Sequence, residues 1–416
     1  MKKILSIVLA CVLCISMCAV FTGCDEKEEK KEDGFKIGAI YINSQKDIAG
    51  YTYAHHKGIT EAMKQLKLST DDLYIIDNTA EDYDTVMKAI DTLAGKGCDM
   101  IIGISFGYLN AFNDAAAKEE YADIIFSHAT GYLSNDKNFN NYFGRIYQAR
   151  YLSGIAAGMK SLELQNNNIG YVAAWGTEYA ETCSGINAFT MGAQAVNPDA
   201  KVYVNQISTW GNEALERSAA QALIDTYKCC VIAQHCDSAQ PQFAAEDNGV
   251  FGCGYNSDMT VQAPKAHLTA PIWNWDVYYK LAIETAMNTP KEFVAKVGNY
   301  YGGLAEGFVD ISPLSKNCTE GTKEVIEAVR ALMVSGEWDV FSNVKLSIDA
   351  EGNITQKTEA LLDNKGGTVI SEDGTTFYCY NDKGELVDSN DFGKFQRDGV
   401  ITGSMNYYVA GVEAGQ

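Results

Sequence analysis

The chain has 416 residues, 46% of them hydrophobic, and a formal net charge of −21. That charge argues against nucleic acid as a partner, because phosphate binding needs patches of Lys and Arg. The length exceeds the ~250–300 residues at which one core stops growing, so a two-lobed body is expected.

The first element reads as an export signal. Lys2 and Lys3 give a positive start, Ile4 to Val20 is almost wholly apolar, and small Gly23 precedes Cys24. This is the layout of a secretory signal peptide, here residues 1–23. The run Phe21-Thr22-Gly23-Cys24 resembles a bacterial lipobox, whose peptidase cuts before the cysteine and leaves it lipidated. Cys24 is therefore the expected lipidation site. The apolar run is under the ~20 residues that a spanning helix needs, so the lipid is the one expected membrane contact. Asp25 to Asp33 is wholly charged. Such a run cannot pack, so residues 24–34 are expected to form a solvated tether on the extracytoplasmic face of the cell membrane.

From Lys36 the chain alternates strand-like and helix-like runs. KIGAIYIN (36–43) reads as a buried strand, and Ile59, Ala62, Met63 and Leu66 then fall at helical spacing. LYIID (73–77) precedes a helix carrying Val86, Ile90, Leu93 and Ala94; DMIIGIS (99–105) and DIIFSH (123–128) continue the series. A break near Arg145 to Tyr151 separates a second set: NIGYVAA (168–174), KVYVNQ (201–206), CCVIAQ (229–234) and VFGCGY (250–255). Strands alternating with helices imply α/β lobes with parallel sheets covered on both faces. From Leu346 onward turn signals dominate, around Gly352, Gly366, Gly374 and Gly384, with TTFYCY (375–380) between them. A small antiparallel appendage is expected there.

Eight cysteines belong to the body: Cys98, Cys183, Cys229, Cys230, Cys236, Cys253, Cys318 and Cys379. An even count outside the cytosol permits disulfides. Several lie in apolar runs, where free Cys acts as a small hydrophobe. Both readings stay open. Cys229-Cys230 and His235-Cys236 are soft ligand types, yet the body has no CxxC or HxxxH spacing, and no metal site is expected.

In doubly wound sheets ligands sit beyond the carboxyl ends of the strands. Those positions hold Asn43, Asp47, Tyr51, Thr52, Tyr53, His55 and His56, then Ser105, Phe106 and Tyr108. The second set contributes Trp175, Glu178, Trp210, His235, Asp237, Tyr255, Asn256 and Asp258, and Trp273, Asn274 and Trp275 follow. Rings flanked by Asp, Asn and His suit a flat polar heterocycle, stacked on its faces and hydrogen-bonded at its edges. The competing reading is that each ring caps a lobe core. No phosphate-binding loop, dinucleotide fingerprint or HExxH helix is present, so neither an enzyme nor a cofactor is signalled.

Six segments carry a family resemblance: GYTYAHHKGI (50–59), YFGRIYQARYLSGIAAG (142–158), HCDSAQPQFAAED (235–247), GYNSDM (254–259), APKAHLTAPIWNWDVYY (263–279) and MNYYVAGV (405–412). In these the chain resembles the basic-membrane-protein family of lipoproteins. They are substrate-binding proteins of certain ABC importers and include purine nucleoside receptors. The resemblance implies a type I periplasmic-binding-protein fold closing on ligand by a hinge. With the pattern read above, this gives residues 35–148 and 264–300 as lobe 1, 149–263 and 301–345 as lobe 2, and 346–416 as a β-rich C-terminal extension.

Strand-end position and the resemblance together give the expected ligand set: Tyr51, Thr52, Tyr53, Ser105, Phe106, Trp175, His235, Asp237, Asn256, Asp258, Trp273 and Trp275. Tyr51 looks like the ring that stacks on purine, with Asp47 upstream. Gly254 to Asp258 resembles the family's Gly-x-Asp-x-Asp loop. Where nucleoside binders place a sugar-proximal Lys, this chain has Trp273. An indole face cannot donate to ribose hydroxyls, so a free base such as adenine is favoured over a nucleoside, sandwiched between Tyr51 and a Trp. Asp237 or Asp258 is the expected acceptor for its N–H. Arg145 and Arg150 are expected to pair with carboxylates at the hinge. The expected partners are a small-molecule ligand and an ABC permease, with no nucleic acid. Alternatives are another solute (nucleoside, flavin or sugar), a ligand sensor for a signalling partner, and, more distantly, a nucleoside hydrolase.

Overall fold

The computed structural model describes residues 34–389, 398 and 403–414. The expected signal peptide, Cys24 and all of the tether but Gly34 lie outside the described residues. The chain divides at Phe35, and the fold below is that of Lys36 onward.

The first lobe runs β1 (Ile37–Tyr41), α1 (Gly50–Gln65), β2 (Leu73–Ile76), α2 (Tyr83–Gly95), β3 (Met100–Ile104), α3 (Leu109–Ala116), β4 (Ile125–Ala129) and β5 (Phe139–Gly144). β1 and β3 are buried at every position, as expected of parallel strands covered on both faces. The Asp82 side chain caps α2 by accepting from Thr85 N, satisfying a donor that the helix itself leaves open.

The second lobe runs α4 (Ile146–Glu163), β6 (Asn168–Ala173), α5 (Ala180–Val196), β7 (Lys201–Gln206), α6 (Glu213–Tyr227), β8 (Val231–His235), α7 (Gln240–Asp247), β9 (Phe251–Cys253) and β10 (His267–Thr269). The expected break at Arg145 to Tyr151 is the start of α4, which is buried along almost its whole length. α4 and α5 cross closely because Gly154 lies against Phe189 O and Gly192 against Tyr151 O, where a Cβ would collide.

After β10 the chain crosses between lobes as β11 (Pro271–Trp273). It returns to the first lobe through α8 (Trp275–Asn288), α9 (Phe293–Val297) and β12 (Tyr300–Gly302), and crosses again as β13 (Val309–Ile311). β11 and β13 pair antiparallel as the hinge ribbon. The two sheets are parallel throughout, in the orders β12-β5-β4-β3-β1-β2 and β10-β9-β8-β6-β7, the latter completed at β7 by β20 (Val412–Ala414). One expected boundary shifts. His267–Thr269 pairs with β9 in the second sheet, so the crossing begins after residue 269 and not at 264.

α10 (Thr322–Ser335) leads to three hairpins: β14 (Val344–Ile348) with β15 (Ile354–Thr358), β16 (Leu361–Leu362) with β17 (Thr368–Ile370), and β18 (Tyr378–Tyr380) with β19 (Leu386–Asp388). The last described stretch behaves differently. β20 (Val412–Ala414) lies parallel to β7 and completes the second sheet. Asn187 of α5 guides it there: its Nδ2 donates to Tyr407 O at 2.8 Å and its Oδ1 accepts from Val409 N at 2.9 Å. All eight body cysteines are free thiols, and seven of them are buried.

Candidate functional site

Strand ends from both sheets meet between the lobes, and the first turn of α1 touches the loop after β8. Gly50 lies with its backbone against Asp237 O. Ala49 packs with Ala239 and Met259 of the second lobe, backed by Phe243. Asp237 therefore sits at the N-terminus of α1, where unpaired N–H groups favour an acceptor. Its carboxyl accepts from Tyr51 N–H and from Asn256 Nδ2, the latter at 3.2 Å. Burial, with Glu216 and Asp47 adding like charge, still pushes that carboxyl up to about 8. Asn256 holds its place with φ of 65°, a left-handed conformation that Asn tolerates better than most residues.

The Tyr51 hydroxyl is buried beside Thr130 without a well-formed hydrogen bond. Thr52 is also buried, but its Oγ1 accepts from Asn43 N at 3.3 Å and so fixes the loop after β1. Tyr53 is half-buried on the same helix.

Trp273 and Trp275 form a wall of the hinge region. His55 stacks on Trp275 at 3.8 Å, Trp275 on Trp273 at 4.5 Å, and Trp273 leans on Phe143 at 4.8 Å. Both faces of each indole are thus occupied. Tyr51 meets Trp275 at 6.4 Å and 87°, so a flat ring cannot lie between Tyr51 and either of these tryptophans. The expected sandwich is corrected on that point: these rings support the cleft by packing on one another. Trp175 and Trp210 keep freer faces. They touch Tyr179 at 5.2 and 6.0 Å in tilted or edge geometry, and Trp175 Nε1 is buried without a partner. Phe106, 44% exposed, reaches across to Tyr179 at the rim.

Asp258 does not join this group. It is exposed, and its Oδ1 accepts from Thr260 N at 2.9 Å and Thr260 Oγ1 at 2.6 Å. His267 Nε2 lies 3.5 Å from the same oxygen. Its role is to close a local turn.

Ser105 occupies the middle of Gly103-Ile104-Ser105-Phe106-Gly107, which has the spacing of a hydrolase nucleophile elbow. Its geometry differs from one. The Ser105 hydroxyl donates to Glu81 Oε1, and His128 Nε2 meets the Ser105 carbonyl oxygen at 2.8 Å, not the hydroxyl. His128 is therefore not placed to take a proton from this hydroxyl, whose partner is the Glu81 carboxylate, and burial pushes His128 down to about 4.

Two residues in the floor of the second lobe escape a reading of strand-end loops. Arg150 of α4 is 1% exposed, its guanidinium 4.0 Å over the Tyr255 ring. Nη1 donates to Tyr171 Oη at 2.7 Å and Gln234 O at 3.1 Å, while Nε and Nη2 lack a formed hydrogen bond. Glu181, in the first turn of α5, has Oε2 3.1 Å from His235 Nε2 and Oε1 unpartnered. Burial opposes ionisation of Glu181, but the ring of His235 beside it and the Arg150 cation outweigh it and lower the carboxyl from its usual range. Burial and Arg150 push His235 down to about 4, so the imidazole is neutral near pH 7. Neither residue gives a local signal, because one lies inside a helix and the other just past a loop.

Arg145 does pair at the hinge as expected. Its Nε and Nη2 donate to the two oxygens of Asp398 at 3.1 and 2.7 Å, and Nη1 donates to Tyr301 O. Arg150 differs, since its formed hydrogen bonds go to a hydroxyl and a carbonyl. Among the described residues no group of three or more His, Cys, Asp or Glu could hold a metal ion. A cavity of about 450 Å³ lies elsewhere, between Tyr151, Met191 and Trp338 and the extension residues Leu346, Leu362 and Val409. Its lining also includes Gln194, Lys345 and Glu359, but none of its atoms is an unpartnered buried polar group.

Two parallel sheets joined by a hinge ribbon, with unpaired polar atoms buried between them, define the type I periplasmic-binding-protein fold. Solved structures agree on the fold. The chain resembles an ABC-transporter solute-binding protein from Aeropyrum pernix (TM-score 0.61, 13% identity, 75% of this chain and 93% of that one). It also resembles a transcriptional activator of the comK gene from Bacillus halodurans (TM-score 0.60, 17% identity, 73% and 99%). Residues 35–343 match the model of the PnrA-like ABC transporter substrate-binding proteins, and the chain belongs to that family. Among curated relatives, a Haloferax volcanii protein named as an ABC-transporter glucose binder is 32% identical over 80% of each chain. A purine-binding protein of Brucella abortus is 30% identical over 92% of this chain and 94% of its own. Among the described residues no helix is long and apolar enough to cross a membrane.

Proposed function

We propose that this substrate-binding protein captures a purine-type ligand between its lobes, with a free base such as adenine preferred over a nucleoside, and delivers it to an ABC permease. The observation that supports this most is the grouping of Tyr51, Asp237 and Asn256 at the N-terminus of α1, an aromatic ring beside a hydrogen-bonding edge. The ring stacks, and the carboxyl and amide read donor and acceptor positions. The preference for a base rests on Trp273, whose indole N–H is directed to Tyr255 Oη at 3.4 Å and so offers nothing to a sugar. Closure is driven by ligand because the closed form alone brings both walls against it.

The Brucella relative's name supports purine; the Haloferax relative's name supports a sugar as a second reading. Mass spectrometry of co-purifying ligand, followed by calorimetric titration with adenine, adenosine and glucose, separates them. Adenine is expected to bind at least about tenfold more tightly than adenosine, about one lost hydrogen bond's worth. Equal affinities would overturn the preference for a base, and binding of glucose alone would overturn the purine reading.

Lipid anchoring through Cys24 belongs to the same proposal and keeps the receptor beside its permease. Labelled palmitate should enter the wild-type chain and not a Cys24→Ser variant. Equal labelling of the two would remove the anchor from the scheme.

A further inference from the structure

We infer that Glu181 is the specificity residue of this cleft: its free Oε1 accepts a ring N–H that a free base carries and an N-substituted base lacks. The inference rests on the purine reading above.

Three observations converge on Glu181. Its side chain is only 20% exposed, Oε2 lies 3.1 Å from His235 Nε2, and Oε1 is a buried acceptor with no partner. A buried acceptor without a donor is costly, and native proteins rarely keep one except where a water or ligand completes it. The residue also stands in the first turn of α5, a helix of 17 residues, where the helix dipole favours an anion. Near it lies Arg150, a cation 1% exposed that makes no ion pair within 4 Å among the described residues yet acts on Glu181 through space. The carboxylate is thus held ionised, which makes it an acceptor only.

Glu181 does not act alone on the ligand. Tyr255, whose ring covers Arg150, is within electrostatic reach of Glu181 and of Asp237. Tyr51 is within reach of both Tyr255 and Asp237. The two carboxyls are thus linked electrostatically through the buried pair Tyr255 and Tyr51. Asp237, raised to about 8, carries its proton at neutral pH and can donate to a ring nitrogen; Glu181 can only accept. A base with an acceptor nitrogen on one edge and an N–H on another satisfies both. Substitution at that N–H removes the donor and leaves a buried carboxylate oxygen unpaired, a form of rejection stronger than a simple lack of fit.

The test uses adenine and 9-methyladenine against the full folded protein. Wild type is expected to prefer adenine by at least about tenfold, a typical effect of one hydrogen bond to a charged group. In Glu181→Ala the ratio should fall to within about threefold, by weaker adenine binding and not by tighter 9-methyladenine binding. Glu181→Gln keeps the size and one acceptor oxygen, so it should retain an intermediate ratio and guards against loss of fold in the alanine variant. An unchanged ratio in both variants, or no preference in wild type, would overturn the assignment. Wild type binding neither compound would overturn the purine reading itself, and this assignment with it.

Discussion

Gly50 of the first lobe stands with its backbone against the carbonyl oxygen of Asp237 in the second, at φ of 88°, a conformation that side-chain-bearing residues rarely adopt. A Cβ at residue 50 would meet that oxygen directly. The closed arrangement therefore requires glycine here. Gly50→Ala should leave each lobe folded and hold the lobes apart. Ligand affinity is expected to fall at least about tenfold, because the binding-competent state becomes a minor one. Titration with adenine, together with a larger radius of gyration in solution scattering, would check this; full affinity in the variant would contradict it.

Asp237 gives a pH signature. In the unfolded chain it ionises near pH 4, whereas burial raises it to about 8 in the fold. The folded state thus binds a proton that the unfolded state releases. The resulting stabilisation is complete below about pH 4 and is lost as pH rises through about 8. Asp237→Asn removes the effect. Its melting temperature relative to wild type should climb between pH 5 and pH 9. Melting curves that stay parallel across that range would show that the carboxyl titrates normally.

The Arg145–Asp398 pair ties the extension to the hinge, with Arg145 also holding Tyr301 O. Asp398→Ala leaves a partly buried guanidinium short of two acceptors, an expected loss of about 1–3 kcal/mol. Chemical denaturation measures it. A loss below half a kcal/mol would reduce the pair to a surface contact.

Trp275 is 1% exposed, held between His55 and Trp273, with Gly58 of α1 packed on its Cβ. Trp275→Ala should cost about 3–5 kcal/mol in urea denaturation. Because this ring supports the cleft without facing ligand, affinity measured well below the melting point should change far less than in a Tyr51→Ala variant.

The alternation of strands and helices was readable from residue 36 because parallel strands leave unbroken apolar runs, as in Ile37–Tyr41 and Met100–Ile104. β5 was not readable. Its centre is Asn140-Asn141, residues that disfavour strands, and Asn140 is tolerated because its amide bonds Tyr278 Oη and Gly298 O, both distant in sequence. The site divides the same way. Tyr51, Asp237 and Asn256 follow strand ends and could be found by position. Arg150 and Glu181 acquire meaning only when α4 and α5 bring them beneath the second sheet, which no local pattern encodes. Trp273 and Trp275 were visible as aromatic loop residues, but stacking on His55 and Phe143 is a property of the tertiary fold.

β20 adds one consequence for assembly. The edge of β7 waits for Val412–Ala414, which arrive only after the hinge, α10 and three hairpins have been made. Until then that strand presents an open ladder, the kind of edge to which a second chain can add. The second sheet is thus completed by a contact of very long sequence separation, and such contacts form slowly. A chain cut short before Met405 would keep most of its cleft residues and still carry an unguarded edge, so its characteristic defect would be self-association and not loss of recognition.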